Sequence, residues 1–273
     1  MQQAIAIIDS GVGGITVAKE IMRQLPQEKI VYFGDSARSP YGPRKPEEIT
    51  RFMMQIVRYL MRFQPKLLVI ACNTATAVAL EQVRAVVSIP VVGVICPGAR
   101  AAVKKTKSGV IGVIGTECTV RSQAYDEALK DLSPKLQVLS QACPRFVPLV
   151  EHGDFHSSHA LQAVRESLAP LHQQAQGKSM DCLILGCTHY PFLQGAISGV
   201  MGSGVELINS AEETARETST VLHHHGQLAK SWEQPDHHFL CSGNPVLFQR
   251  IAQEWLNANI QVTPVVWHSP KYV

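Results

Sequence analysis

Short runs of apolar residues alternate along the whole chain with longer amphipathic segments. The runs are rich in Ile and Val and show no regular alternation of apolar and polar positions, which is typical of strands buried on both faces of a parallel sheet. We predict nine such strands, at 4–8, 30–33, 67–71, 91–95, 110–114, 136–139, 182–185, 205–208 and 239–241. Strands that alternate with helices predict an α/β fold with mainly parallel sheets flanked by helices.

The clearest helix is predicted to begin at Pro46, because proline suits the first helical turn and Glu47 and Glu48 lie near the positive end of the helix dipole. Its apolar residues recur at the spacing of one helical face. They are Ile49, Phe52, Met53, Ile56, Val57 and Leu60. Further helices are predicted at 16–25, 119–132 and 211–225.

A faint internal repeat relates the two halves of the chain. The strands at 5–11 and 110–116 both end in a small polar turn, and later in each half a cysteine, Cys72 or Cys187, directly follows a strand. Open α/β sheets bind ligands at the carboxyl ends of their strands, so two such units would place both cysteines on one cleft. The alternative is that the halves look alike only because all α/β halves do.

Composition excludes several classes of protein. The chain has 25 Lys and Arg against 22 Asp and Glu, and its net charge of +3 is scattered along the sequence. The sequence therefore predicts no basic patch for binding nucleic acid or an anionic membrane. The longest apolar runs are about six residues, whereas a membrane span needs about 20. Seven cysteines without a CxxC pair argue against a zinc ribbon and fit a reducing compartment. With no signal-peptide pattern at the start, we predict a cytoplasmic protein.

Two glycine-containing segments follow the first two strands. The motif DSGVGG at 9–14 is neither a dinucleotide-binding nor a Walker motif, and it is interpreted either as a carboxylate or phosphate cradle or as a tight turn without a ligand. The loop at 34–43 is long for a compact α/β unit. Its prolines would stiffen it and hold Tyr41 and Gly42 against a ligand, unless the loop is only a rigid surface turn.

The two strand-end cysteines carry the strongest chemical signal. Cys72 is followed by Asn-Thr and Cys187 by Thr-His, and a helix that begins at such a turn is expected to lower the pKa of the thiol. His189 could exchange a proton with Cys187. The remaining cysteines are expected to be buried packing residues. They are Cys96, Cys118, Cys143, Cys182 and Cys241.

Glu151 follows an apolar run at 146–150 and is either a cleft carboxylate or a strand-end charge. The histidine runs at 223–225 and 237–238 invite a metal interpretation. Consecutive histidines on a helix point in different directions, so a solvated helix end is the interpretation we adopt, and no metal site is predicted.

Four motifs in this order resemble those of the glutamate racemases, within the aspartate/glutamate racemase superfamily, and the resemblance covers the whole chain. They are DSGVGG at 9–14, YFGDSAR at 32–38 leading into PYG at 40–42, ACNTAT at 71–76 and GCTHYP at 186–191. The resemblance implies two pseudo-symmetric α/β domains with the active site in the cleft between them. Residues 1–97 and 209–273 would form the first domain, carrying Cys72, and residues 98–208 the second, carrying Cys187.

The resemblance also implies an activity. It is the cofactor-independent interconversion of L- and D-glutamate by two-base proton transfer, which supplies D-glutamate for peptidoglycan synthesis and so for the cell wall and cell shape. The substrate is glutamate, no nucleic acid or membrane is required, and a homodimer is expected.

By the same resemblance, Cys72 and Cys187 are the catalytic pair, with Cys187 facing L-glutamate and Cys72 facing D-glutamate. Asp9, Glu151 and His189 would assist proton transfer. The implied substrate-binding residues are Asp9, Ser10, Pro40, Tyr41, Gly42, Asn73, Thr74, Thr116, Thr188 and His189. The alternatives are a racemase for another amino acid, such as aspartate, and a non-catalytic regulatory protein on the same fold, which would need neither cysteine.

Overall fold

Two parallel sheets organise the protein, whose computed structural model describes residues 3–230 and 234–267. The first sheet has the strand order β10-β9-β2-β1-β3-β4, and the second has the order β6-β5-β7-β8. The strands are β1 (Ile5–Asp9), β2 (Ile30–Gly34), β3 (Leu67–Ile70), β4 (Val91–Gly93), β5 (Val110–Gly115), β6 (Gln137–Ala142), β7 (Cys182–Gly186), β8 (Glu206–Ile208), β9 (His238–Cys241) and β10 (Val262–Pro264). Every strand pair is parallel, which confirms the predicted α/β fold.

Helices connect these strands and cover the sheets. They are α1 (Ile15–Gln24), α2 (Pro46–Leu60), α3 (Asn73–Val86), α4 (Ile95–Lys105), α5 (Glu117–Arg121), α6 (Ala124–Leu132), α7 (Phe146–Glu151), α8 (Ser158–Gln174), α9 (Gln194–Met201), α10 (Ser210–His224) and α11 (Pro245–Leu256). The apolar face predicted for α2 is buried in full. Among the described residues, no helix combines the length and the apolar character that crossing a membrane requires.

Three details differ from the predicted elements. The helix predicted at 119–132 is two helices, α5 and α6, because the backbone at Gln123 is left-handed, with a φ of 57°. The strand predicted at 91–95 ends at Gly93, and Ile95 already begins α4. The edge strand β10 was not predicted, because its three residues are largely exposed and do not form an apolar run.

Two helices carry the chain between the sheets. The first sheet draws its strands from 5–93 and 238–264, and the second draws its strands from 110–208. Helix α4 leads from β4 to β5, α10 leads from β8 toward β9, and the two helices pack against each other. The predicted boundary between residues 97 and 98 falls inside α4, and the division into two domains stays a prediction.

A buried ion pair fastens the chain after α10 to the first sheet. Lys66 Nζ lies 2.6 Å from Glu28 Oε2, and the two side chains are 5% and 2% exposed. Lys66 Nζ also donates to the carbonyl of Gln227 at 2.7 Å, and the N–H of Ala229 donates to Glu28 Oε1 at 2.7 Å. The pair therefore joins β3, the turn before β2 and the segment that leads to β9.

We expect Lys66→Met to lower the free energy of unfolding by about 3–5 kcal/mol, because it leaves the buried carboxylate of Glu28 without its counter-ion. Urea unfolding followed by circular dichroism measures this loss. Adding Glu28→Gln should restore part of it. Glu81→Gln is the control, because its pair with Arg84 is exposed and is worth less than about 1 kcal/mol. Equal losses for Lys66→Met and Glu81→Gln would contradict this account.

Candidate active site

The turns after β1, β3 and β7 meet at Asp9. We call the region between these three turns the cleft. Asp9 ends β1 and has no exposed surface. Its Oδ1 accepts the N–H of Gly11 at 2.9 Å, and its Oδ2 accepts the hydroxyl of Thr188, from the turn after β7, at 3.1 Å. Burial raises the pKa of Asp9 above its ordinary value, although the positive charge of His189 opposes this. One carboxylate thus joins the two sheets.

The glycines after Asp9 allow the two halves to approach closely. A Cβ atom at Gly13 would lie 2.6 Å from both His189 Nδ1 and Thr188 Oγ1, and one at Gly14 would lie 2.5 Å from the Cβ of Asp9. Such distances exclude any larger side chain. The structure shows a tight turn in contact with the second half of the chain, and a ligand role for this motif stays a prediction.

Cys72 lies at the start of α3, as predicted. Its Sγ accepts the N–H of Ala75 at 3.5 Å and lies 3.6 Å from Ser10 Oγ. Burial, and then the negative charge of Asp9, raise the pKa of Cys72 to about 12. The expectation of a lowered pKa is therefore wrong for this thiol: the N–H of Ala75 and the hydroxyl of Ser10 favour the thiolate but do not outweigh burial. At neutral pH Cys72 is a thiol, able to donate a proton.

Cys187 begins a chain of proton-carrying groups. Its Sγ lies 3.8 Å from His189 Nδ1, and His189 Nε2 lies 2.6 Å from Glu151 Oε1. Burial alone would lower the pKa of His189, but its hydrogen bonds with Cys187 and Glu151 raise that pKa well above the ordinary value. Burial raises the pKa of Glu151, and the bond and charge of His189 outweigh it, so that the net shift is downward. An imidazolium and a carboxylate therefore stand beside Cys187.

The two cysteines are electrostatically coupled, since negative charge on Cys187 also contributes to the raised pKa of Cys72. Glu151 ends the short helix α7, not a strand, so the strand-end interpretation of this residue is wrong. Its side chain reaches the cleft, where a Cβ atom at Gly11 would lie 2.8 Å from Oε1.

Hydroxyl and amide groups surround the start of α3. Thr74 Oγ1 lies 2.9 Å from Thr116 Oγ1 and 3.2 Å from Thr119 Oγ1, so three threonines from both halves form one hydroxyl cluster. Asn73 is buried, and its Oδ1 accepts the hydroxyl of Tyr125 at 2.7 Å. Thr119 and Tyr125 were not predicted as site residues, because they lie on helices with no motif of their own.

The loop after β2 contacts the cleft through its backbone more than through its tyrosine. The Tyr41 hydroxyl donates to Asp35, which is fully buried and also accepts Arg38 Nε at 2.6 Å and Trp267 Nε1 at 3.1 Å. A Cβ atom at Gly42 would lie 2.8 Å from the Cβ of Thr116. The hydroxyl of Tyr41 is thus used to hold the loop to Asp35. The sequence pattern did not identify Asp35 as the residue that holds this loop.

Pro40 stands apart from the other predicted site residues. It is exposed and lines a small apolar cavity of about 170 Å³ at the edge of the cleft, together with Gly42 and Thr116. The others are buried and linked by contacts around Asp9 and the threonine cluster. They are Asp9, Ser10, Tyr41, Gly42, Cys72, Asn73, Thr74, Thr116, Cys187, Thr188 and His189, with Glu151 half-buried beside them.

The cysteines outside the cleft follow the packing prediction with one exception. Cys118, Cys143, Cys182 and Cys241 are buried, whereas Cys96 is exposed on α4, so that prediction is wrong for Cys96.

The histidine runs form no metal site among residues 3–230 and 234–267, which contain no suitable group of three ligands. The first run ends α10, as expected. The second is not a helix end: His238 begins β9, and the Nδ1 of His237 accepts the N–H of Ile30 at 3.2 Å.

Comparisons with known proteins identify the family to which the chain belongs. The model of the Asp/Glu/Hydantoin racemase family matches residues 5–218. A glutamate racemase of Bacillus cereus is 52% identical over 261 residues, 96% of each chain. A crystal structure of a glutamate racemase isoform from Bacillus anthracis superposes with a TM-score of 0.93 at 48% identity, covering 97% of this chain and 98% of that one.

A second solved structure is more distant in sequence. The glutamate racemase from Francisella tularensis, in complex with D-glutamate, superposes with a TM-score of 0.88 at 30% identity over 98% of both chains. The curated relative and the two solved structures match nearly the whole chain. The chain therefore belongs to the Asp/Glu racemase family of isomerases and, within it, to the glutamate racemases.

Proposed function

We propose that the protein interconverts L- and D-glutamate by two-base proton transfer, with Cys72 and Cys187 as the bases and no cofactor. One observation carries this proposal: the turns after β3 and β7 meet at one buried carboxylate, with the thiol of Cys72 beside Asp9 and the thiol of Cys187 beside His189. Inverting a Cα centre requires that a proton leave one face of the substrate and another arrive on the opposite face. Two thiols on facing turns suit that requirement.

The groups around the two thiols suit the conversion of L-glutamate to D-glutamate. Cys187 faces L-glutamate by family resemblance, and its thiolate, beside the imidazolium of His189, takes the α-proton onto Sγ. Cys72 is held as a thiol by burial and by Asp9, and it gives its own proton to Cα from the other side. The pair is then left with a Cys187 thiol and a Cys72 thiolate, which is the starting state for D-glutamate.

Hydrogen-bond donors at the cleft stabilise the negative charge that develops when the α-proton leaves. Without an electron sink, that charge spreads onto the substrate carboxylate, where oriented N–H and O–H groups lower its energy. We assign this role to the side-chain amide of Asn73 and to the hydroxyl of Thr74, since the single hydroxyl proton of Thr188 is donated to Asp9. Ser10, Gly42 and the other residues implied by family resemblance complete the substrate site.

Relatives and chemistry favour glutamate over the alternatives. Curated relatives at about 50% identity are named glutamate racemases, and the Francisella structure contains D-glutamate. An aspartate racemase homologue from Pyrococcus horikoshii shares only the fold, at 19% identity and a TM-score of 0.56. A non-catalytic role would leave the paired thiols and the His189–Glu151 pair without a purpose.

The cellular role follows from the activity. We propose that the enzyme supplies D-glutamate for peptidoglycan, that it acts in the cytoplasm, and that it is a homodimer, as is common in the family. We also propose that residues 1–97 with 209–273 and residues 98–208 act as two domains that close on the substrate, with the cleft between them.

We expect the purified protein to convert L-glutamate to D-glutamate without added cofactor and after treatment with a chelator. Circular dichroism of the amino acid measures the conversion directly. L-aspartate under the same conditions is the comparison substrate and should react far more slowly. Activity on aspartate but not on glutamate would support the alternative of an aspartate racemase. Inactivity on both amino acids would reject the proposal that the protein is a racemase.

We expect alanine at either Cys72 or Cys187 to abolish racemisation in both directions, because each direction needs one thiol to remove a proton and the other to supply one. In deuterated water, Cys72→Ala should exchange the α-proton of L-glutamate only, and Cys187→Ala that of D-glutamate only. Nuclear magnetic resonance detects the exchange. Cys182→Ala is the matched control, since Cys182 is buried at the opposite end of the same strand as Cys187. Substantial racemisation by either single variant of the pair would disprove the two-base mechanism.

We expect Glu151→Gln to lower the pH above which activity is lost. His189 must stay protonated to support the Cys187 thiolate, so activity is present below the pKa of His189 and is lost above it. The Glu151 carboxylate helps to raise that pKa, and its removal should move the alkaline limb of the kcat/KM profile to lower pH. Glu166→Gln, which removes an exposed carboxylate paired with Arg145, is the control. An unmoved alkaline limb in Glu151→Gln would contradict the assigned role of the pair.

A further inference from the structure

Within the described part of the chain, the side-chain amide of Asn73 is hydrogen-bonded through its oxygen but not through its nitrogen. Asn73 is 2% exposed, and its Oδ1 accepts the hydroxyl proton of Tyr125 at 2.7 Å. Its Nδ2 is buried and has no hydrogen-bond partner in the part of the chain that the structure describes. A buried amide donor without a partner is unfavourable unless a ligand supplies the acceptor. Tyr125 therefore fixes the amide oxygen, and the two N–H groups of Nδ2 are free to donate to a ligand in the cleft.

The hydroxyl of Tyr125 decides which way the amide of Asn73 faces. It donates its single proton to Asn73 Oδ1 at 2.7 Å. A carbonyl oxygen accepts that proton, whereas an amide nitrogen cannot. The hydrogen bond from Tyr125 thus favours the orientation of the amide that leaves Nδ2 free.

The ring of Tyr125 is wedged between the elements that form the cleft. It lies on α6 and is 1% exposed. A Cβ atom at Gly186, directly before Cys187, would lie 3.0 Å from its Cε2, and one at Gly98 on α4 would lie 3.2 Å from its hydroxyl. Tyr125 therefore reaches the start of α3 through its hydroxyl and packs against the residue before Cys187 and against α4.

We propose that Tyr125 is a positioning residue, whose hydroxyl fixes the side-chain amide of Asn73 so that Nδ2 points at the carboxylate of the bound amino acid. The inference rests on the proposed function, which places that carboxylate against Asn73. Tyr125 does not touch the substrate. It acts through Asn73, and its effect must disappear when the amide is absent.

The experiment is a double-mutant cycle on Tyr125 and Asn73 with kcat and KM for both enantiomers of glutamate. Tyr125→Phe keeps the ring and removes the hydroxyl. We expect it to lower kcat/KM about tenfold or more, since an oriented hydrogen bond to a charged group is lost. Asn73→Ala should lower kcat/KM at least as much. The double variant should be no worse than Asn73→Ala alone.

A further variant separates positioning from folding. Tyr190→Phe is the matched control, because the Tyr190 hydroxyl is equally buried but donates to a backbone carbonyl, that of Cys143, at 3.0 Å. Its thermal midpoint should fall about as far as that of Tyr125→Phe, with kcat/KM unchanged within about twofold.

The outcomes distinguish this inference from the proposed function. Multiplicative effects of Tyr125→Phe and Asn73→Ala in an active wild-type enzyme would overturn the positioning role and leave the racemase proposal intact. A wild-type protein that neither binds nor racemises glutamate, by calorimetry and circular dichroism, would overturn both proposals.

Discussion

The buried carboxylate of Asp9 is the constraint on which the rest of the site depends. A carboxylate without exposed surface is strongly unfavourable unless hydrogen bonds and a counter-charge compensate it. Its two oxygens are satisfied from different halves of the chain, by the N–H of Gly11 and the hydroxyl of Thr188. The halves must therefore meet with the turn after β7 against the turn after β1, and the glycines at 13 and 14 leave the space for that contact. The same negative charge then helps to keep Cys72 protonated.

The two halves repeat a backbone pattern but not an electrostatic one. Each cysteine follows a buried strand, yet Cys72 lies beside the negative charge of Asp9, whereas Cys187 lies beside His189, whose positive charge is supported by Glu151. A two-base reaction needs this inequality, since one thiol must begin as the acid when the other begins as the base. A faint repeat in the sequence reveals the shared turns. The inequality arises from Asp9, since the matching segment at 110–116 contains no acidic residue, and from Glu151, which lies outside the repeat.

Prediction from the sequence succeeded where a local pattern carries the information. Strands buried on both faces must be apolar throughout, and the amphipathic face of α2 follows from its single buried side. It failed where burial or conformation is decided by distant parts of the chain. Nothing in the sequence around Gln123 marks the left-handed residue that divides 119–132 into two helices. Cys96 is apolar by type but lies on the exposed side of α4, and β10 is too short and too exposed to produce a signal.

The same distinction applies within the cleft. Cys72, Asn73, Thr188 and the other motif residues follow strands directly, and parallel strands bring their carboxyl ends to one edge, so the sequence identifies them. The groups that orient them come from elsewhere: Glu151 lies 38 residues from His189, and Tyr125 lies 52 residues from Asn73. Neither has a motif, because a single hydrogen bond to a site residue imposes no pattern on the neighbouring sequence. The protonation of His189 and the direction of the Asn73 amide are therefore properties of the folded chain, and they exist only once α6 and α7 have packed beside the turns that carry the thiols.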